Sequence, residues 1–239
     1  MEGIAGSRVV ITGAAQGLGA ALARAFAQAG ARVVALDRDA AGLTALADAT
    51  GATVLAVDLS DAATTQDAIA AILAEGARID TLIHNAAILV PEPLADLELA
   101  MFRATMDVGI TAGYLLARAA LPSMRAHGGA MIFVSSQSGI RGFADETAYC
   151  AAKHALEGFS KSVALEEPGL VSCTITPGKP MHTPMSERNY PPELKREWVD
   201  PILLAPAFLH IAATRDPALS GQRLNAWEIA TSLKGTAHA

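Results

Sequence analysis

Arg8-Val9-Val10-Ile11-Thr12-Gly13-Ala14-Ala15-Gln16-Gly17-Leu18-Gly19 decides the fold of this chain. Its first five residues are a β-branched apolar run that reads as a buried strand. Three glycines follow within seven positions. From Gly17 to Ala29 the apolar residues recur at helical spacing, and Gly30 marks the stop. A strand, a glycine-rich turn and a helix in that order form a cradle for a phosphate. The glycines let backbone approach closely, and the helix start offers free N–H groups with a positive dipole. A glycine cluster alone is weak evidence, because tight turns need glycine anyway.

Working outward, the alternation repeats. Strands are predicted over 32–36, 53–57, 79–83, 130–134 and 170–175, with a short one near 222–226 closing the chain. Helices are predicted over about 40–49, 61–75, 96–126, 147–166 and 202–213. Continuous apolar strands between amphipathic helices imply a parallel sheet covered on both faces. The expected fold is a single α/β domain over 1–239, a doubly wound, Rossmann-type sheet with ligands at the carboxyl ends of its strands. Between Pro177 and Asp200 six prolines and glycines interrupt any period. This segment, about 178–200, is expected to be a substrate-side wall, with an ordinary surface loop as the alternative.

Composition narrows the function. The chain has 239 residues, 51% of them hydrophobic and 18% charged, enough for one sizeable core. Eighteen Lys and Arg against 24 Asp and Glu give a net charge of −6, which argues against a nucleic-acid partner. Two cysteines, Cys150 and Cys173, make no disulfide framework. No apolar run is long enough to span a bilayer, and Met1-Glu2-Gly3 lacks the basic start of a secretory signal. A cytoplasmic protein is expected.

Asp37 ends the second strand, 18 residues after Gly19. A carboxylate there accepts the adenosine ribose hydroxyls and repels a 2′-phosphate, which favours NAD over NADP, although the neighbouring Arg38 could meet that phosphate. Asp58, after the third strand, is placed either for the adenine amino group or as a helix N-cap. Tyr149 and Lys153 are four apart on a predicted helix and share a face. An ammonium beside a phenol favours the phenolate, so Lys153 is expected to lower the Tyr149 pKa and make it a usable base. Ser136 lies just past the fifth strand, where it would hold the oxygen that Tyr149 protonates.

These elements together resemble the classical short-chain dehydrogenases/reductases over essentially the whole chain. The matching positions are the glycine motif Thr12–Gly19, then Ser136, Tyr149 and Lys153, then Pro177-Gly178 with Thr183, and Gly221-Gln222. The resemblance implies sheet order 3-2-1-4-5-6-7 with about seven strands, and hydride transfer between a nicotinamide and a secondary alcohol or ketone. It implies Ser136, Tyr149 and Lys153 as the catalytic set. For the cofactor it implies Gly13, Gln16, Gly17, Leu18, Gly19, Asp37, Asp58, Leu59, Asn85, Ala86, Tyr149, Lys153, Pro177, Gly178 and Thr183. No metal is expected, since the six histidines show no ligand spacing. A homo-oligomer, tetramer or dimer, is implied through the helices at 96–126 and 147–166.

Several positions depart from the family pattern. Its Asn-Asn-Ala-Gly reads His84-Asn85-Ala86-Ala87, with His84 expected to take over a structural hydrogen bond. Its Val-Asn reads Val108-Gly109, so the asparagine that supports the lysine's water is missing, with a second water or Thr111 as the substitutes. Glu166–Leu170 is shorter than usual, Lys179–Thr183 one residue longer, and Ala226-Trp227-Glu228 replaces Asp-Gly-Gly. The Gly109 change motivates an alternative: a catalytically weak NAD(H)-binding regulatory protein. Nucleotide-sugar epimerase chemistry is disfavoured by the glycine spacing and the short chain. For the substrate, Ser138, Arg141, Phe143 and His182 are expected to border the cleft. Arg141, Lys179 and His182 hint at an anionic or polar substrate, while Phe143, Met181, Met185 and Trp198 suit an apolar pocket.

Overall fold

Seven parallel strands form one sheet in the order β3-β2-β1-β4-β5-β6-β7. They are β1 (Arg8–Thr12), β2 (Arg32–Asp37), β3 (Thr53–Ala56), β4 (Thr81–His84), β5 (Ala130–Val134), β6 (Val171–Thr176) and β7 (Arg223–Asn225). The computed structural model describes residues 3–76 and 78–236; Met1 and Glu2, part of the reading against a secretory start, lie outside them. Among the described residues no helix is long and apolar enough to cross a membrane.

The period-2 alternation of each strand divides the core into two layers. Val9, Ile11, Val33, Ala35, Ile132 and Ile175 face α1 (Gly17–Gln28), α2 (Ala40–Thr50), α8 (Ala205–Thr214) and α9 (Ala226–Thr236). Val10, Val34, Leu82, Met131 and Phe133 face α3 (Ala62–Glu75), α5 (Ala112–His127) and α6 (Thr147–Glu166). Both faces are covered, which is why the strands read as unbroken apolar runs.

Four expectations need correction. The helix expected over 96–126 is α4 (Leu99–Met106), one turn of π-helix (Asp107–Thr111) and α5 in continuous succession. The segment 178–200 is not irregular: it holds α7 (Pro184–Asn189) and a 3₁₀ turn (Pro192–Glu197). Thr183 caps α7 by accepting from Ser186 N, and Pro184 takes the first helical position. The two ends of this excursion are tied together, with Val199 N donating to Pro180 O at 2.9 Å and His182 N to Val199 O at 3.0 Å. The last predicted helix begins as a 3₁₀ turn (Pro201–Leu204) before α8.

The chain also does not close on a strand. Asn225 Oδ1 accepts from Trp227 N and Glu228 N, and its Nδ2 donates to Glu228 Oε1 at 2.8 Å. This reciprocal cap starts α9.

Candidate active site

Most of the chemistry-bearing residues collect at the carboxyl ends of the strands, around a cleft of about 530 Å³. On one side β1 runs into the glycine loop. Gly13 has φ 65°, a left-handed conformation that costs glycine little. A Cβ on Gly19 would lie 2.0 Å from Gly13 O, so only glycine lets the helix start pack on the turn. Asn85 closes the loop from β4, its Nδ2 donating to Thr12 O and Gly13 O, both at 3.1 Å. Asp37 Oδ2 accepts from Ala15 N at 3.0 Å, so this carboxylate holds the loop as well as facing the cleft.

Asp58 is not a helix N-cap. Its Oδ1 accepts from Ser60 N and Ser60 Oγ, which hold its carboxyl below the usual range, and Asp61 caps α3 instead. Gly13, Gln16, Gly17, Leu18, Asp37, Asp58, Leu59, Asn85 and Ala86 all line the cleft; Gly19 lies behind it as packing. Pro177, Gly178 and Thr183 line it from the far side. Thr183 is also close to the glycine loop, since a Cβ on Gly17 would meet its methyl at 3.2 Å. Glycine backbone, a helix start and an acid at the end of β2 fit a dinucleotide, with Asp37 toward a ribose and the loop toward the pyrophosphate.

Ser136, Tyr149 and Lys153 also meet in the cleft. Ser136 caps a short 3₁₀ turn (Gln137–Gly139) after β5, accepting from Ser138 N. Tyr149 and Lys153 lie one turn apart on α6. The Lys153 ammonium is 2% exposed, donates to Val134 O at 2.6 Å and lies 5.5 Å from the centre of the Tyr149 ring. Burial lowers the Lys153 pKa to about 8, with Glu157 pulling the other way.

The phenol does not follow the expectation that Lys153 lowers it. Burial pushes the Tyr149 pKa well above that of a free tyrosine, and the Ser136 hydroxyl pulls it the other way. Desolvation of an anion outweighs that pull in this wall of the cleft.

Behind the site, His84 occupies the place of the family's first asparagine. The Thr12 hydroxyl accepts from Asn85 N and Ala86 N, each at 3.0 Å, so its one proton goes to His84 Nδ1 at 3.0 Å. This fixes the tautomer, and Nε2–H donates to Gly109 O in the π turn at 3.3 Å. The ring lies along Gly113, where a Cβ would come within 2.9 Å of it. A Cβ on Gly109 would fall 2.7 Å from Ala152 Cβ on α6, so an asparagine side chain has no room there. Thr111 does not stand in for it, because its hydroxyl donates to Asp107 Oδ1 at 3.0 Å.

Burial, with Lys153 nearby, lowers the His84 pKa to about 4, against 6.5 for a free imidazole. Below pH 6.5 the unfolded chain takes up a proton that folded His84 refuses. The stability is therefore full above pH 6.5 and lost as the pH falls toward 4, by about 3 kcal/mol at this site. Urea unfolding across that range should show the slope in the wild type, and His84→Asn should remove this part of it.

A second buried network fixes the Ser136 loop. Glu157, on α6, is 5% exposed and accepts from Ser135 Oγ, from Thr174 Oγ1 at 2.7 Å and from Arg223 Nε at 3.1 Å. Arg223 Nη2 then donates to Ser136 O at 3.0 Å.

On the substrate side, Ser138, Arg141 and Phe143 line the cleft, with the Arg141 guanidinium 4.8 Å from the centre of the Phe143 ring. Lys179, Met181, Met185 and Trp198 line it too. His182 does not: its ring stacks edge-on to Trp198 at 5.5 Å, beside a separate shallow depression. Sequence reasoning missed Glu146, which lines the cleft and accepts from Ser138 Oγ at 3.0 Å. No spacing signal marks it, since it precedes the helix that carries Tyr149.

Comparison with known proteins bears on the same arrangement. The short chain dehydrogenase family model matches residues 7–193. The chain is 34% identical over 235 residues to the 2,5-dichloro-2,5-cyclohexadiene-1,4-diol dehydrogenase of Sphingobium indicum, covering 91% of this chain and 93% of that one. It is 36% identical over 167 residues to the D-threitol dehydrogenase of Mycolicibacterium smegmatis, covering 67% of this chain and 64%, less than two thirds, of that relative. A structure from Beutenbergia cavernae assigned as an NAD(P)-dependent gluconate 5-dehydrogenase, with NADP bound at low occupancy, superposes with a TM-score of 0.83 at 27% identity, over 94% of this chain and 97% of that one. The chain belongs to the short chain dehydrogenase family of nicotinamide-dependent oxidoreductases.

Proposed function

We propose that this protein is an NAD-dependent dehydrogenase that interconverts a secondary alcohol and its ketone, with Tyr149 as the acid/base. The observation that carries the reading is the convergence of Ser136, Tyr149 and Lys153 in the same cleft as the glycine loop, with the Lys153 ammonium 5.5 Å from the centre of the Tyr149 ring. A nicotinamide bound there supplies the hydride acceptor or donor. Ser136 holds the substrate oxygen, and Tyr149 takes or gives its proton. Lys153, mostly an ammonium at neutral pH, binds the nicotinamide ribose. Relatives named for D-threitol and a cyclohexadienediol support an alcohol or polyol as substrate. Exposed Leu99, Tyr114 and Leu165 on α4, α5 and α6 support a homo-oligomer built on these helices.

NAD preference rests on the Asp37 carboxylate at the end of β2. Asp37→Asn keeps an acceptor for Ala15 N and removes the charge. It should raise the ratio of kcat/KM for NADP to that for NAD by about a hundredfold, the size of one relieved like-charge contact. Initial rates with both cofactors and a polyol check this. A wild type that prefers NADP sinks the cofactor assignment, and Arg38 then becomes its reader.

A further inference from the structure

Glu146 stands immediately before α6, where a side-chain oxygen ordinarily accepts from the first free N–H groups of the helix. It makes no such bond. Instead Ser138 Oγ donates to Glu146 Oε2 at 3.0 Å, and Ser136 Oγ lies 3.4 Å from Ser138 Oγ. Tyr149 lines the same cleft. Hydroxyl, hydroxyl and carboxylate thus run in a row in the cleft that holds the Tyr149 phenol. The preceding residue, Asp145, has φ 62°, which few non-glycine residues adopt, and its carbonyl accepts from Glu92 N at 2.7 Å.

An ionised carboxylate only accepts hydrogen bonds. Ser138 takes Oε2, and Oε1 accepts from none of the described residues. Glu146 is half-buried, whereas Arg141, Lys179 and Arg188 are exposed, and the buried Lys153 ammonium beside Tyr149 is engaged by Val134 O. Solvent screens the exposed cations more than it screens Glu146. The group that suits this position is a neutral hydroxyl donor; a substrate carboxylate is repelled. Two serine oxygens 3.4 Å apart suit two hydroxyls on adjacent carbons, themselves within hydrogen-bonding range of each other.

We propose that Glu146, held by Ser138, is the subsite for a second substrate hydroxyl on the carbon next to the reacting carbinol. The preferred substrates are then vicinal diols and polyols rather than simple secondary alcohols or 2-hydroxy acids. This assignment deepens the dehydrogenase reading above and rests on it.

The test compares 2,3-butanediol, 2-butanol and 2-hydroxybutanoate with the purified protein, each with NAD and with NADP. The wild type favours the diol over the mono-alcohol, and Glu146→Ala lowers that ratio of kcat/KM about tenfold or more, mainly through KM. Glu146→Gln retains a neutral acceptor and falls between the two. It also gains activity on 2-hydroxybutanoate, which the wild type handles poorly. Ser138→Ala moves the diol ratio in the same direction. A diol ratio that neither Glu146 variant shifts overturns the subsite, as does a wild type that prefers the hydroxy acid. No turnover of any of the three with either cofactor overturns the dehydrogenase reading itself, and the subsite with it.

Discussion

Tyr149→Phe should lower turnover by about a thousandfold or more, the usual contribution of a positioned acid/base, while leaving cofactor affinity close to that of the wild type. The phenol faces Ser136 and loses only its oxygen in this variant, so neither the glycine loop nor Asp37 is disturbed. The pH dependence follows from burial, which raises the Tyr149 pKa. Alcohol oxidation needs the phenolate as base, so its rate should climb as the pH rises above neutrality. Ketone reduction needs the phenol as acid and should be sustained to correspondingly high pH. Steady-state rates in both directions, with NADH fluorescence for binding, check all of this. If Tyr149→Phe keeps its turnover, the acid/base assignment fails. If the wild type binds the cofactor tightly and turns over nothing, the regulatory reading motivated by Gly109 takes its place.

Glu157→Ala should cost about 3–5 kcal/mol of folding stability, the range for removing one partner of a buried ion pair. It leaves the Arg223 guanidinium without its carboxylate and the Ser135 and Thr174 hydroxyls without their acceptor. At the size of this domain that corresponds to a drop in Tm of about 10 °C. The loss should reach catalysis as well, because Arg223 also holds Ser136 O. Below its lowered Tm the variant should show a reduced kcat with a smaller change in KM. Glu157→Gln retains acceptors for the two hydroxyls and should recover part of the stability. Thermal unfolding followed by circular dichroism, paired with steady-state kinetics, separates the two effects. A Tm within 2 °C of the wild type would show that the network is dispensable.

Most of the architecture could be read from the chain because both faces of the sheet are buried. Runs such as Arg8–Thr12 and Ala130–Val134 have no other plausible use, and the intervening helices keep a clear period. The π turn at Asp107–Thr111 was not legible, since five residues are too few for a slightly wider helix to leave a mark on the apolar pattern. The helices α7 and α9 did carry signals. Thr183-Pro184 is a cap followed by proline at the first helical position, and Asn225 with Glu228 is a reciprocal cap. Both were hidden by neighbouring prolines or by their distance from the family pattern.

Within the site, the residues that converge on the cleft were legible because their spacing is set by the fold. The electrostatics were not. Whether Lys153 or desolvation governs Tyr149 depends on how much water reaches the phenol, which no spacing records. Glu146 carries no such mark, because it stands before the helix and its contact with Ser138 does not follow from a periodic position.

The packing around Gly109 also ties together positions far apart in the sequence. A side chain at 109 meets Ala152, the Gly109 carbonyl is held by His84, and His84 in turn needs Gly113 to be bare. An asparagine at position 109 would therefore press against the helix that carries Tyr149 and Lys153. Supplying that amide is a paired change, at 109 and at 152 together, rather than a single substitution.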